Sequence, residues 1–328
     1  MLGFYKRQAR RLDWEERDPA LPIDADTVWI DAWTPSQEEI RRVERWLGVE
    51  LPTREEMQEI EASSRVYEEG GAIVLTATVL INADSPPPDT VEITFIIKGE
   101  MLVTLRYADP QPFRTMSGRL DRIGPTLNSG LAAFFWIQEQ TVARVADVLE
   151  RGSNDLENMS SEIFAAARKS EKKEERIDLV EALARIGRNG DTTAKVRECL
   201  HALQRILLAV SATDVIPPSM RKDARARAKV INRDVASLIE HTGFVTGNVN
   251  LLLDATLGLI NIEQTNIIKI FSVLAIVFLP PTLIASIYGM NFQEMPELSW
   301  HLGYPLAIIL MIASAICPYL FFKRKGWL

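Results

Sequence analysis

The sequence contains few histidines and cysteines, and it contains no phosphate-binding glycine loop. The three histidines, His201, His241 and His301, form no metal or catalytic cluster in the sequence. No Walker-type glycine loop occurs, which argues against ATP-driven pumping. The two cysteines, Cys199 and Cys317, lie in a helical stretch and an apolar span, so neither indicates a disulfide or a zinc site. These absences predict a protein that is not an enzyme and has no organic cofactor.

The start of the chain lacks a secretory signal. Basic residues at Met1–Arg7 are followed by polar residues, where a signal peptide needs an apolar stretch. We therefore expect a cytoplasmic N-terminus. The basic run Met220–Arg233 contains interspersed acids and the net charge is −7, so we predict a solvated helix face and no nucleic-acid partner.

Long uncharged runs are confined to the last quarter. Two apolar spans, Ile270–Tyr288 and Tyr304–Phe322, are each long enough for a helix to cross a bilayer. The loop between them, Gly289–Gly303, has no Lys or Arg, whereas Lys323–Lys325 directly follow the second span. The positive-inside rule therefore places the C-terminus in the cytoplasm as well.

The first third of the sequence predicts an α/β domain over residues 1–125. Strand-like runs occupy Thr27–Trp33, Ala72–Ile81, Val91–Ile97 and Met101–Tyr107, with a hairpin turn at Lys98-Gly99-Glu100. Thr34 and Thr53 each precede a Gln or Glu by three residues, which indicates helix caps, and Pro35 suits a first helical turn.

Long helices are predicted for residues 126–265. The pattern is helical from Asn128 to Ser170 and from Ile177 to Ala212, with a breaker at Gly187–Gly190. After Pro217-Pro218 no proline occurs before Pro280. One helix of ~100 Å is thus expected to continue into the membrane. The remaining predicted segments are a first transmembrane, pore-lining helix (266–290), an outer loop (291–303), a second transmembrane helix (304–322) and a basic tail (323–328).

The first span carries a patterned polar stripe. Phe271, Ala275, Leu279, Thr282 and Ser286 recur at helical spacing, so they share one face. One narrow face cannot enclose a pore, so the stripe serves conduction only where several copies surround an axis. Apolar rings could then gate by dewetting. Two alternatives stay open: the hydroxyls only bond to the helix backbone, or the hairpin is an inert anchor.

The loop motif resembles a known family. Tyr288-Gly289-Met290-Asn291-Phe292, with Met295-Pro296-Glu297-Leu298 after it, is similar to the signature of the CorA magnesium transporters. Glu61-Ala62-Ser63-Ser64-Arg65 is similar to the proteobacterial branch. The resemblance implies an α+β membrane protein of the inner membrane: an N-terminal cytoplasmic α/β/α domain, long helices forming a funnel, two transmembrane helices per subunit, and a homopentamer.

The same resemblance implies roles for individual residues. Gly289, Met290 and Asn291 would form the selectivity filter, and Thr265 would join the pore lining. Mg²⁺ gives up its water reluctantly, so a ring of Asn291 side chains would grip the hydrated ion. Glu294 and Glu297 would attract cations to the outer mouth.

Regulation by Mg²⁺ is also implied by the resemblance. Carboxylates between neighbouring cytoplasmic domains would bind Mg²⁺ and hold the closed state. By position, Asp84, Asp234 and Asp254 are the candidates, and the alternative for each is an ordinary solvated carboxylate.

The sequence thus predicts transport of Mg²⁺ by a homopentameric channel gated by intracellular Mg²⁺, with passage of Co²⁺ and Ni²⁺ implied by resemblance. The alternatives are a transporter of Zn²⁺ or another divalent cation, possibly proton-coupled or an exporter, and a divalent-ion sensor tethered to the membrane. Met290, which lies between Gly289 and Asn291 in the motif, favours Mg²⁺ as the transported ion.

Overall fold

A computed structural model describes residues 1–8, 11–15, 26–85, 87–116, 129–168, 178–290, 295–296 and 300–325. They form two compact units, Met1–Leu253 and Asp254–Leu328. The strands are β1 (Leu2–Gln8), β2 (Arg11–Glu15), β3 (Thr27–Trp33), β4 (Val66–Glu69), β5 (Ala72–Ile81), β6 (Asp89–Lys98) and β7 (Met101–Arg106). The helices are α1 (Gln37–Leu47), α2 (Arg54–Met57), α3 (Ala62–Arg65), α4 (Gly130–Arg168), α5 (Leu179–Ala212), α6 (Pro218–Tyr288) and α7 (Gly303–Arg324).

The first unit contains a mixed sheet of seven strands in the order β2-β1-β3-β7-β6-β5-β4. β3 and β7 pair in parallel, and the other neighbours pair antiparallel. The predicted hairpin turn is confirmed, since Lys98 pairs with Met101 and Gly99 has φ +60°. The four predicted strands are present. β1, β2 and β4 were not predicted.

Helices cover both faces of the sheet, as period-two side-chain alternation requires. Val43 and Leu47 of α1 belong to a core with alternate residues of β3, β5, β6 and β7. On the opposite face, Phe95 meets Phe134 of α4 edge-on, with the ring centroids 5.4 Å apart. The α/β layering of the N-terminal region is therefore as predicted.

One of the two predicted helix caps is wrong. The N-cap of α1 is Ser36, whose side chain accepts from the Glu39 amide while Glu39 accepts from the Ser36 amide. Thr34 has φ 44°, and its amide bonds to Arg106 O of the sheet. Pro35 therefore precedes the cap and does not open the helix. The Thr53 cap is confirmed, with Glu56 completing its capping box.

A close approach of backbones fixes the start of α4. A Cβ on Gly130 would lie 2.2 Å from Leu102 N and 2.5 Å from Val28 O, so only glycine fits there. The Gly130 amide also bonds to Glu100 O at 2.8 Å. The sheet thereby fixes the point from which the first long helix leaves.

The long helices are more continuous than the glycine pattern suggested. Gly187 and Gly190 lie inside α5, so the predicted break is wrong. A Cβ on Gly190 would lie 3.4 Å from Val249 Cγ1 of α6, which is an ordinary van der Waals contact. The predicted continuous helix after Pro217-Pro218 is confirmed, since α6 runs for 71 residues and passes through Pro280 and Pro281.

The second unit consists of the end of α6 and all of α7. Both helices are long and apolar enough to cross a membrane, with mean hydropathy of 2.3 and 2.2 in their most apolar windows. Basic residues Lys323 and Arg324 end α7. The two predicted apolar helices are therefore present.

A buried ion pair joins β3 to β7 in the first unit. The Arg106 guanidinium donates to both carboxylate oxygens of Asp31, and the pair is almost fully buried. The guanidinium also lies between the rings of Trp33 and Phe113, 4.8 and 4.7 Å from their centroids. Asp109 accepts from it at 2.8 Å. Arg106 is therefore held by the carboxylates of Asp31 and Asp109 and by the rings of Trp33 and Phe113.

Removal of Asp31 should strongly destabilise the first unit. Asp31→Ala leaves a buried guanidinium without its main counter-charge, and the expected loss is roughly 3–5 kcal/mol. The measurement is thermal and denaturant unfolding of the full-length protein in detergent. Lys195→Ala, which removes a surface pair with Asp191, should change stability by less than ~1 kcal/mol. Equal effects of the two substitutions would contradict this role of Asp31.

Candidate functional site

The predicted pore face of the first span is left uncovered by the chain. Phe271, Ala275, Leu279, Thr282 and Ser286 are all exposed, and Phe271 and Leu279 are 67% and 66% exposed. At about 100° per residue, these five side chains occupy a sector of roughly 80° of the helix. The structure thus places them on one accessible face.

The opposite face of the same span is less exposed. Its half-buried residues are Val273, Ile276, Val277, Pro280, Pro281, Ile284 and Tyr288. On α7 a matching stripe of lower exposure runs through Gly303, Ala307, Met311, Ser314, Pro318 and Phe322 at helical spacing. Each helix is thus partly covered along one side. The sector of the five residues, centred near Ala275, lies on the other side of α6.

Thr265 does not join that sector. It is exposed, but it lies roughly 80° around the helix from Ala275. Its hydroxyl donates to Asn261 O at 2.8 Å, and the Thr282 hydroxyl donates in the same way to Phe278 O at 2.7 Å. Both hydroxyls therefore bond to the helix backbone, as the alternative interpretation of the polar stripe expects. Each oxygen still has lone pairs that can accept a hydrogen bond from water.

The start of the predicted filter lies at the end of α6. The Gly289 amide bonds to Ala285 O at 2.9 Å, and Met290 is exposed. A Cβ on Gly289 would lie 3.0 Å from Ala285 O, so glycine suits this tight exit from the helix. Asn291, Glu294 and Glu297 lie outside the described residues.

In the first unit, Asp84 is held by two arginines of α4. Arg144 donates to Asp84 Oδ1 at 2.7 Å, and Arg151 lies 3.4 Å from the same oxygen. The hydrogen bond from Arg144 keeps the pKa of the Asp84 carboxyl below its ordinary value. The carboxylate therefore stays ionised at neutral pH, and it would lose its charge only at a pH below the usual aspartate range.

Two cavities meet at Asp84. One, of about 420 Å³, is lined by Asn82, Ser85, Asp89, Gln111 and Arg144 among others. The other, of about 450 Å³, lies between α4 and α5 and includes Arg151, Asp155, Arg185 and Asn189. Asp84 is 79% exposed despite its partners, so a hydrated cation can approach it.

The other predicted regulatory carboxylates are exposed on α6. Asp234 belongs to the first unit and Asp254 to the second. Within the part of the chain that the structure describes, no three His, Cys, Asp or Glu side chains are grouped to hold a metal ion. The described residues of a single chain therefore bring together no complete carboxylate site.

Arg144 and Arg151 were missed in the sequence. They lie seven residues apart on α4 and so share a face. The seven-residue spacing can be read from the sequence, but nothing in the sequence shows that this face of α4 meets the turn after β5. Only the fold brings the two arginines to Asp84.

Comparison with known proteins was made by sequence and by fold. Residues 24–324 match the family model described as CorA-like Mg²⁺ transporter protein. The magnesium transport protein CorA of Pectobacterium atrosepticum is 37% identical, and that of Escherichia coli K12 is 36% identical, each over the full length of both chains. The complete CorA structure from Methanocaldococcus jannaschii matches with a TM-score of 0.75 at 20% identity, over 100% of this chain and 99% of that one.

These matches agree with the two apolar helices, the α/β region and the loop motif. Proteins of this family are membrane transporters of ions and not enzymes, as the sequence predicted. The chain belongs to the CorA-like Mg²⁺ transporter family.

Proposed function

We propose that this chain transports Mg²⁺ across the inner membrane as a homopentameric channel, with both termini in the cytoplasm. The observation that carries the proposal is the uncovered face of α6, which runs from Phe271 to Ser286 and leads to Gly289 and Met290. A face of that width lines a pore only together with copies of itself. The names of the full-length relatives support Mg²⁺ as the ion.

The chemistry of this face suits an ion that keeps its water. It offers hydroxyls, small groups and apolar side chains, and no charged group lies between Phe271 and Ser286. Mg²⁺ demands near-octahedral oxygen ligands and dehydrates reluctantly. A ring of Asn291 oxygens therefore selects the hydrated ion at the outer end, where Glu294 and Glu297 concentrate cations. Passage of Co²⁺ and Ni²⁺ belongs to the same proposal.

The membrane potential drives inward movement. A divalent ion gains ~4.6 kcal/mol for each 100 mV, twice the value for a single charge. No separate energy source is then required. Flux of Mg²⁺, Co²⁺, Ni²⁺ and Zn²⁺ into liposomes, at a set potential and pH gradient, tests this: movement that follows the pH gradient and not the potential contradicts a passive channel.

Gating by internal Mg²⁺ would use carboxylates shared between copies. Asp84, with Asp234 and Asp254 on α6, supplies oxygen ligands that Mg²⁺ prefers. A ligand shifts an equilibrium only by its differential affinity, so Mg²⁺ must bind the closed assembly more tightly than the open one. Arg144 and Arg151 already neutralise Asp84 and would compete with the ion for it.

Asn291→Ala should abolish Mg²⁺ uptake and leave assembly and membrane insertion intact, because the side-chain oxygens that grip the hydrated ion are lost. Uptake into liposomes and size-exclusion chromatography measure the two effects. Gln293→Ala, which removes another amide of the same loop, is the control and should retain flux. Normal flux in Asn291→Ala would remove this residue from the selectivity site.

Leu279→Ser should raise Mg²⁺ flux severalfold at internal Mg²⁺ concentrations that close the wild-type channel, because a hydroxyl keeps water in an apolar constriction. The control is Leu283→Ser, since Leu283 is equally exposed but lies roughly 40° to the side of Leu279 and outside the sector. Stopped-flow flux into liposomes distinguishes them. Equal increases in both variants would argue against a pore face confined to the sector that includes Leu279.

Asp84→Ala combined with Asp234→Ala should raise the internal Mg²⁺ concentration for half-inhibition by at least about fivefold, the lower end of usual coupling energies. Arg144→Gln should lower it, because a competing cation is removed. Patch recordings at stepped internal Mg²⁺ provide the measurement. Asp89→Ala, in the same cavity as Asp84, is the matched control. Unchanged inhibition in the double variant would show that sensing lies elsewhere.

A further inference from the structure

The cavity of about 450 Å³ between α4 and α5 has the size of a small-molecule site. Each helix contributes four residues at spacings of three, one and three, so each turns one face to the cavity. These residues are Val148, Arg151, Gly152 and Asp155 of α4, and Arg185, Arg188, Asn189 and Thr192 of α5. The cavity therefore has room for an organic ligand as well as for an ion.

A glycine inside α4 keeps this wall open. Gly152 interrupts the helix at a cost of about 1 kcal/mol relative to alanine. A Cβ at Gly152 would lie 3.1 Å from Asn189 Oδ1, which is closer than most Cβ contacts. Any other side chain at this position would therefore crowd Asn189 and occupy part of the cavity.

The described lining of the cavity carries a net positive charge. Its charged residues are three arginines and two aspartates: Arg151, Arg185, Arg188, Asp84 and Asp155. Arg185 is paired with Asp155 at 2.7 Å. Arg188 bonds through Nη2 only, to Glu181 at 2.9 Å, and the two side chains of this pair are 46% and 60% exposed. A guanidinium has five N–H donors and exposed ion pairs are weak, so Arg188 can donate to a ligand.

Asn189 adds an acceptor that has no donor. The residue is 8% exposed, and its Nδ2 donates to Asp155 Oδ2 at 2.7 Å. Among the described residues, none donates a hydrogen bond to its Oδ1. Polar atoms of buried residues normally have partners. A group inside the cavity that donates a hydrogen bond, such as a hydroxyl, would supply the missing partner.

We propose that this cavity binds a phosphate monoester that carries hydroxyl groups, of about the size of a sugar phosphate. The fork of a guanidinium matches phosphate oxygens, so Arg188 and Arg151 hold the phosphate. The hydroxyls donate to Asn189 Oδ1. The proposal is independent of transport and of gating by Mg²⁺, because neither uses Arg188 or Asn189.

The test is calorimetric titration of the full-length protein in detergent, without Mg²⁺ and at constant ionic strength, with ribose 5-phosphate, ribose and inorganic phosphate. Ribose 5-phosphate should bind saturably, and ribose should not bind. Inorganic phosphate should bind at least about tenfold more weakly, because it leaves Asn189 without a donor. Arg188→Gln should weaken binding of ribose 5-phosphate by about tenfold or more, since charged hydrogen bonds are lost.

Arg197→Gln is the matched control, since Arg197 is an exposed arginine of α5 that does not line the cavity, and it should keep the wild-type affinity. Both variants should unfold near the wild-type temperature, because each removes only an exposed side chain. Absence of saturable binding to the wild type would overturn the proposal. An unchanged affinity in Arg188→Gln, or an equal loss in Arg197→Gln, would reject this cavity as the site. Phosphate binding as tight as that of ribose 5-phosphate would reject the ester. Each of these results leaves the Mg²⁺ flux measurements unaffected.

Discussion

The uncovered side of α6 is the constraint on which the functional argument depends. In hydrocarbon a helix satisfies its own backbone, so its side chains alone decide what it can face. One side of the span is partly covered within the chain, while the side from Phe271 to Leu279 is open. Lipid would tolerate Phe271 and Leu279, and the Thr282 hydroxyl satisfies its own proton at Phe278 O, but the remaining lone pairs of that oxygen find a partner only in water. A water-filled axis accommodates both kinds of residue.

Burial separates two arginine arrangements in the first unit. Arg106 and Asp31 are buried together, and removing either partner leaves a charge without compensation. Asp84 is exposed and its arginines hold it weakly, since exposed pairs contribute little to stability. The first arrangement is therefore structural, whereas Asp84 is able to exchange its arginine partners for ions.

The sequence predicted the elements whose signal is local. The strands β3 and β5, the turn at Gly99 and the long helix from Pro218 follow from runs of side chains and from proline placement. The predictions failed where residues distant in the chain decide the local structure. β1 and β4 become strands because the sheet supplies their neighbours. Gly187 and Gly190 stay inside α5, where a glycine costs a helix only about 1 kcal/mol. Thr34 does not cap α1, because its amide bonds to Arg106 O at the end of β7.

The candidate site likewise has features that follow from local sequence patterns and features that depend on distant residues. Five pore-face residues were predicted from helical spacing, and the structure places them on one side. The partners of Asp84 were not predictable, because Arg144 lies 60 residues farther along the chain. That pairing bears on sensing. A carboxylate locked like Asp31 would stay with its arginine at any cellular Mg²⁺ concentration, whereas the exposure of Asp84 leaves it open to a divalent ion. Under the proposed gating, competition between Arg144 and Mg²⁺ sets the internal concentration at which transport stops.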